Sequence, residues 1–183
     1  YTRYVSRFGR PIVGALAWRL CRVFYNRHKR LIAPTRALKK VLLQHKIRTP
    51  IEVIPSGVDT EFYRPIDRHS ARRKLGLSDG RIFLSLGRLG HEKNVDLIIR
   101  AIKAVDAKLV IAGRGPALNE LKGLVRTLKL RSKVIFTGYV KEELKPFYYS
   151  AADALVLASS SETQGIVMLE AMACGTPVIG ANA

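Results

Sequence analysis

The chain is 183 residues long, 48% hydrophobic and 25% charged, with a formal net charge of +18. That apolar content excludes a disordered tail, and the length allows one ordinary domain or one domain with part of another. The charge is unevenly laid out: residues 1–50 hold thirteen Lys or Arg and no Asp or Glu, which points to an anionic partner for that third, whether a membrane surface, a nucleic acid or a phosphorylated substrate.

The opening interleaves aromatic and basic residues, Tyr1, Arg3, Tyr4, Arg7, Phe8 and Arg10. Val13, Ala17, Leu20 and Phe24 then recur at helical spacing and predict a helix over residues 11–27, with Pro11 in its first turn. Two readings fit. One is a packed helix with a solvated basic face; the other is a patch lying on anionic lipid, where each cation contributes about 1 kcal/mol. Nucleic-acid binding ranks below both, because no recognition motif accompanies the cations. The best candidate for a membrane span, residues 12–18, is far short of the ~20 residues a crossing helix needs. The chain starts at Tyr1 without signal-peptide features and reads as an internal piece of a longer protein. Cys21 and Cys174 sit in unrelated contexts, so a reducing compartment is expected.

Residues 30–34 predict a short strand, and Thr35 is placed to cap a helix over residues 36–45. A strand over residues 51–54 ends at Pro55-Ser56-Gly57, and a loop runs on to Pro65, where a domain boundary is expected. Residues 66–80 read as a linker holding a short helix over residues 70–75, closed by Gly76. From residue 81 the pattern alternates. Strands are predicted at 82–87, 108–113, 134–138 and 154–158, with helices over 94–105, 116–129, 141–150 and 165–173 and a fifth strand over 177–180. Continuous apolar strands, each followed by a helix, predict an α/β fold with a parallel, Rossmann-like sheet. Loops at the carboxyl edge of such a sheet are where ligands bind.

Four loops carry the candidate chemistry. Gly87-Arg88-Leu89-Gly90-His91-Glu92-Lys93-Asn94 sets Arg88 and Lys93 at a strand end and helix start. Two cations there suit a diphosphate, or simply solvent on an ordinary loop. Gly113-Arg114-Gly115-Pro116 fits tight-turn architecture as well as ligand contact. The backbone of Gly138-Tyr139-Val140 would pair with a nucleobase edge or make a plain turn. Between residues 154 and 183 the only charges are Glu162 and Glu170, in a segment otherwise fit for a core. Carboxylates kept there need a partner. A helix starting near Gly165 offers backbone N–H groups to an anion, with Glu162 just before it and Glu170 in its second turn. There is no dinucleotide fingerprint, P-loop, Ser-His-Asp pattern or metal-ligand cluster, and His28, His45, His69 and His91 read as solvated surface.

Taken in order, Gly87-Arg88 with Glu92-Lys93, then Gly113-Arg114-Gly115-Pro116, then Phe136-Thr137-Gly138-Tyr139-Val140, then Glu162 and Glu170 eight apart with Ala171-Met172-Ala173-Cys174-Gly175-Thr176-Pro177-Val178, resemble the retaining glycosyltransferases of GT-B family 4. Pro55-Ser56-Gly57-Val58-Asp59 resembles that family's hinge segment, with Ser56 where Asn is usual. The resemblance implies a GT-B fold. Residues 1–65 would end an N-terminal, acceptor-side domain, residues 66–80 would link, and residues 81–183 would form a truncated nucleotide-sugar-binding domain. It implies that Arg88 and Lys93 neutralise the donor diphosphate. Gly87, Gly165, Ile166 and Val167 would meet phosphate and sugar through the backbone. Gly138 and Val140 would hold the base, Glu170 the ribose hydroxyls and Glu162 the donor sugar. No metal and no cofactor is implied beyond the nucleotide sugar, with a UDP-sugar favoured over a GDP-sugar. The Glu162-Thr163-Gln164-Gly165 form resembles diacylglycerol glucosyltransferases and related glycolipid enzymes, with lipid mannosyltransferases close behind. A membrane lipid acceptor, an anionic membrane surface met by residues 1–50, no nucleic acid, and a cytoplasmic, peripheral place at the inner face of the cell membrane are therefore expected. A soluble or polyprenyl-linked sugar acceptor is the alternative, and a non-enzymatic basic membrane- or nucleic-acid-binding module is the reading from another class. Complete members have about twice this length, so the chain alone is expected to bind nucleotide weakly and not to turn over.

Overall fold

A computed structural model describes residues 10–159 and 164–181, with side chains from Gly14 onward. Two compact units divide the chain, Tyr1–Gly57 and Val58–Ala183. The first holds α1 (Arg10–Tyr25), β1 (Leu31–Ala33), α2 (Arg36–Gln44) and β2 (Ile51–Val53). The two strands are parallel, with Leu31 opposite Ile51. Thr35 caps α2: its backbone is extended and its side-chain oxygen accepts the Leu38 N–H at 3.1 Å. Ala33, Leu42, Ile47 and Ile51 form the small core, with Trp18 and Tyr25 of α1 packed on it. The other side of α1 is different. Leu16, Leu20, Val23 and Phe24 are all at least half exposed, and their spacing of three and four puts them on one stripe. The aromatic and basic residues before Arg10 lie outside the described residues.

The second unit holds α3 (Arg68–Leu75), β3 (Ile82–Leu86), α4 (Val95–Ile102), β4 (Lys108–Ala112), α5 (Leu118–Thr127), β5 (Val134–Gly138), α6 (Lys145–Ala151), β6 (Ala154–Leu157), α7 (Ile166–Ala173) and β7 (Val178–Gly180). Its five strands are parallel in the order β5-β4-β3-β6-β7. Successive residues of β4 feed opposite faces, as strand geometry requires. Leu109 and Ile111 join Ile98, Ile99, Leu121 and Val125 of α4 and α5 in one core. Val110 and Ala112 join Ile82, Leu84, Leu155, Tyr149 and Ala171 in the other.

Residues 66–80 are mostly helix. Asp67 caps α3 by accepting the Ser70 N–H at 2.8 Å, and Gly76 ends it in the left-handed conformation, φ 63°. This helix is anchored by a charge. Arg72, only 7% exposed, donates to the Ala151 carbonyl and to Asp153, both at 3.0 Å. Asp153 also accepts from Arg68 at 2.7 Å and from the Ile82 N–H at 2.8 Å. The helix expected over 94–105 is shorter, Val95–Ile102. A short 3-10 turn, His91–Lys93, precedes α4, and Asn94 between them is left-handed at φ 49°. Its side chain donates to the Ala158 carbonyl at 3.0 Å, which ties the loop after β3 to the end of β6.

The order of the strands places the site. From β3 the chain steps outward to β4 and β5, then returns to β6 and β7 on the other side of β3. The crevice at the carboxyl ends of β3 and β6 is the topological switch point, where sheets of this kind bind ligands.

Candidate active site

The loop after β3 is held from behind by the loop after β4. The Gly87 N–H donates to the Ala112 carbonyl and the Leu89 N–H to the Arg114 carbonyl, both at 2.9 Å; the Ala117 N–H returns to Leu89 at 3.0 Å. Such close approach needs the glycines. A Cβ on Gly113, whose φ is 150°, would lie 1.8 Å from the Gly87 carbonyl oxygen, and one on Gly115 would lie 2.3 Å from that of Leu89. Gly113-Arg114-Gly115 therefore acts here as loop architecture.

In front of the braced loop, at the switch point, is a cavity of about 480 Å³. Gly87, Arg88 and Lys93 line one side, and Gly165, Ile166 and Val167 line the other. The structure thus brings together six of the expected donor residues. The second wall is the start of α7, where the N–H groups of Ile166 and Val167 precede the first hydrogen bond of the helix and the positive end of its dipole lies. Gly165 enters the helix at φ 63°, and its carbonyl accepts the Met168 N–H at 2.8 Å. An anion in the cavity would face two cations and a helix start.

Four polar lining residues had no site role assigned from the sequence, namely Ser85, Glu92, Ser159 and Gln164. Glu92 is the most consequential, since its carboxylate pairs with the Arg88 guanidinium. Gly90 makes room for that carboxylate, which would lie 2.3 Å from a Cβ there. Ser159 donates to the Glu92 carbonyl at 3.3 Å, a second tie between the two walls. Helical spacing of Arg88 and Glu92 was the signal that could have shown the pair.

Three of the remaining expected residues sit elsewhere. Glu162 lies outside the described residues. Gly138 ends β5 at φ 74° and accepts the Gly113 N–H at 2.7 Å; Val140 is buried in a core, and neither lines the cavity. Glu170 does not line it either. Its side chain is 8% exposed, with Tyr149 donating to Oε2 at 2.5 Å and Lys145 Nζ 3.7 Å from Oε1. Burial and the Glu170 carboxylate push the Tyr149 hydroxyl far above its ordinary range, so it stays protonated and donates. Burial, then Glu170, push the Cys174 thiol up to about 11. His91 lies 3.5 Å from Glu120, His45 stacks on Trp18, and no cluster of three metal-ligating side chains occurs among the described residues.

The family model "Glycosyl transferases group 1" matches residues 67–183, and "Glycosyltransferase Family 4" matches residues 1–62. Alpha-monoglucosyldiacylglycerol synthase of Streptococcus pneumoniae is 37% identical over 190 residues, covering 98% of this chain and 43% of that protein. Mannosylfructose-phosphate synthase of Agrobacterium fabrum is 35% identical over 175 residues, covering 86% of this chain and 38% of that protein. Among solved structures, Anabaena HepE in complex with UDP and glucose superimposes with a TM-score of 0.85 at 25% identity, over 92% of this chain and 49% of that one. The chain thus spans less than half the length of these proteins.

Proposed function

The chain belongs to the glycosyl transferases group 1 family, with an α/β fold of the GT-B type, and from that premise we propose that it carries the donor half of a retaining hexosyltransferase that moves a sugar from a nucleotide donor to a membrane lipid such as diacylglycerol. The observation that carries this reading is the switch-point cavity, with Arg88 and Lys93 on one wall and the start of α7 on the other. In this reading the donor diphosphate lies between those walls. The positive charge favours the diphosphate most as it leaves, which lowers the barrier without a resident metal. Arg88 exchanges its Glu92 partner for phosphate oxygens. The bond between the anomeric carbon and the phosphate oxygen breaks with its electron pair going to that oxygen, the acceptor oxygen bonds to that carbon from the same face, and the acceptor's proton passes to the departing phosphate. Glu162 contacts the sugar, Glu170 receives the ribose hydroxyls, and the backbone at Gly138 and Val140 receives the base.

A UDP-sugar is the favoured donor, since the similar HepE structure holds UDP and glucose. The lipid acceptor is supported by the similarity to a glucosyldiacylglycerol synthase and by the thirteen cations without an acid in residues 1–50. It is also supported by the exposed apolar stripe of α1, which suits the headgroup boundary. No described helix is long and apolar enough to cross a membrane, so this reading puts the protein peripherally at the inner face of the cell membrane. A second reading, a phosphorylated sugar acceptor, draws on the similarity to mannosylfructose-phosphate synthase. Transfer by the full-length enzyme from UDP-glucose to diacylglycerol in phosphatidylglycerol vesicles, against fructose 6-phosphate in solution, decides between them. Lipid product, with the anomeric configuration kept by NMR, is expected. Product from the soluble acceptor alone overturns the lipid reading. In flotation, Leu20→Glu and Phe24→Glu should release the protein from the vesicles. Unchanged flotation would remove α1 from the membrane contact.

A further inference from the structure

Glu170 sits in a closed circuit of side chains. Tyr149 donates to its Oε2 at 2.5 Å, and Lys145 Nζ lies 3.7 Å from Oε1. Lys145 is in turn held by the Glu142 carboxylate at 2.8 and 2.9 Å, and the Tyr63 hydroxyl donates to that same carboxylate. The Tyr63 and Tyr149 rings, 6.1 Å apart, close the circuit. Lys145 and Tyr149 are one turn apart on α6 and so share a face. Tyr149 is fully buried, and Thr176 donates to its carbonyl at 2.8 Å, so its ring has a fixed base. Tyr63 comes from the segment before α3.

Packing alone does not account for this arrangement. A phenylalanine ring would fill the space at position 149, whereas the hydroxyl here donates to Glu170. The hydroxyl occupies one lone pair of Oε2 and holds the carboxylate's rotamer. The ammonium stands off from the other oxygen, at a distance longer than a hydrogen bond. That oxygen keeps lone pairs to accept a ligand's hydroxyl groups.

We propose that Tyr149 and Lys145 are positioning residues that hold the Glu170 carboxylate with its Oε1 edge set for the nucleotide's ribose, Lys145 being held from behind by Glu142 and Tyr63. This rests on the reading of Glu170 as the ribose acceptor. The consequence is that donor affinity depends on hydroxyl and ammonium groups that do not line the cavity.

The test is isothermal titration of the protein with UDP and with 2′-deoxyuridine diphosphate. The variants are Tyr149→Phe, Lys145→Gln and Glu170→Gln, and each of the first two combined with the third. Tyr149→Phe is expected to weaken UDP about tenfold and to narrow its preference over the deoxy nucleotide. In steady state the donor KM should rise while kcat changes little. In the Glu170→Gln background the same change should cost less than about twofold, because neighbours acting through one group are not additive. Lys145→Gln, on the more accessible partner, should behave alike and keeps the question open to measurement if Tyr149→Phe folds poorly. Equal losses with and without the Glu170 carboxylate, or no loss at all, overturn the positioning role. If Glu170→Gln itself leaves UDP affinity and the deoxy preference unchanged, the ribose reading falls first and the positioning role with it.

Discussion

Gly113→Ala tests the brace behind the candidate site. The added Cβ would lie 1.8 Å from the Gly87 carbonyl oxygen and 3.0 Å from its carbon. Both are backbone atoms, so no side chain can swing away. The residue would also be held at φ 150°. A strained non-glycine backbone of this kind costs about 1–3 kcal/mol. Relief of the clash must pull the two loops apart, at the expense of bonds such as Gly87 to Ala112 and Leu89 to Arg114. Each is worth about 1 kcal/mol. The expected cost is therefore about 2–5 kcal/mol, a lowering of the unfolding midpoint of roughly 5–15 °C. The loop that moves is the one bearing Arg88, so UDP affinity should fall with stability. Gly57→Ala is the matched control. It has ordinary φ and nothing within 4 Å of the new methyl, and should be neutral or stabilising by up to about 1 kcal/mol. Calorimetry with UDP titration reads both quantities. If Gly113→Ala matched Gly57→Ala in midpoint and affinity, the brace would have no energetic meaning.

Arg88→Met and Lys93→Met should each weaken UDP by about 10- to 100-fold, the worth of a charge-assisted hydrogen bond, while uridine affinity stays put; an equal loss for uridine would point to misfolding. EDTA should leave transfer unchanged, and metal-dependent recovery after chelation would sink the metal-free assignment. Arg72→Met should destabilise by about 1–3 kcal/mol, because the Ala151 carbonyl and Asp153 lose a buried donor while Arg68 still pairs with Asp153; unfolding free energies within about 0.5 kcal/mol of each other in urea would refute it. The Cys174 thiol, moved from 9.0 to about 11, predicts an alkaline weakness. Between those values the unfolded thiol ionises and the folded one keeps its proton. Stability should therefore fall as pH rises through this window, by about 2 kcal/mol at pH 10.5. Cys174→Ala should remove that share of the slope in urea unfolding at pH 8.5 and 10.5, and an identical slope would exclude the thiol as its source.

The sheet was legible because its strands are mainly apolar runs closed by a glycine or small residue, as in β4 before Gly113. The cavity was legible for a related reason: strand ends and helix starts are marked locally, and Arg88, Lys93 and Gly165 stand at those marks. What stayed hidden depends on distant partners. Nothing near Arg72 in the sequence says that it is buried, and its acceptors at Ala151 and Asp153 are about eighty residues away. The short helix expected within the linker is packed for that reason. The setting of Glu170 was equally obscure. Its placement in the second turn of α7 followed from local pattern, but Tyr149 and Lys145 reach it only because α6 packs beside α7.

The strand order also bears on how the protein is made. β3 lies in the middle of the sheet, yet Phe83 pairs with Ala154, about seventy residues later in the chain. During synthesis at roughly 5–20 residues per second, that edge waits some 4–14 s for its partner. Through that interval an apolar strand edge is open to other nascent chains. The Asp153 carboxylate arrives one residue before β6 and engages Arg72 and the first N–H of β3. It would therefore act as the latch that seats the late strand and ends the exposed period. Ribosome stalling with β6 still inside the exit tunnel and with β6 fully emerged would separate an aggregation-prone nascent chain from a protected one.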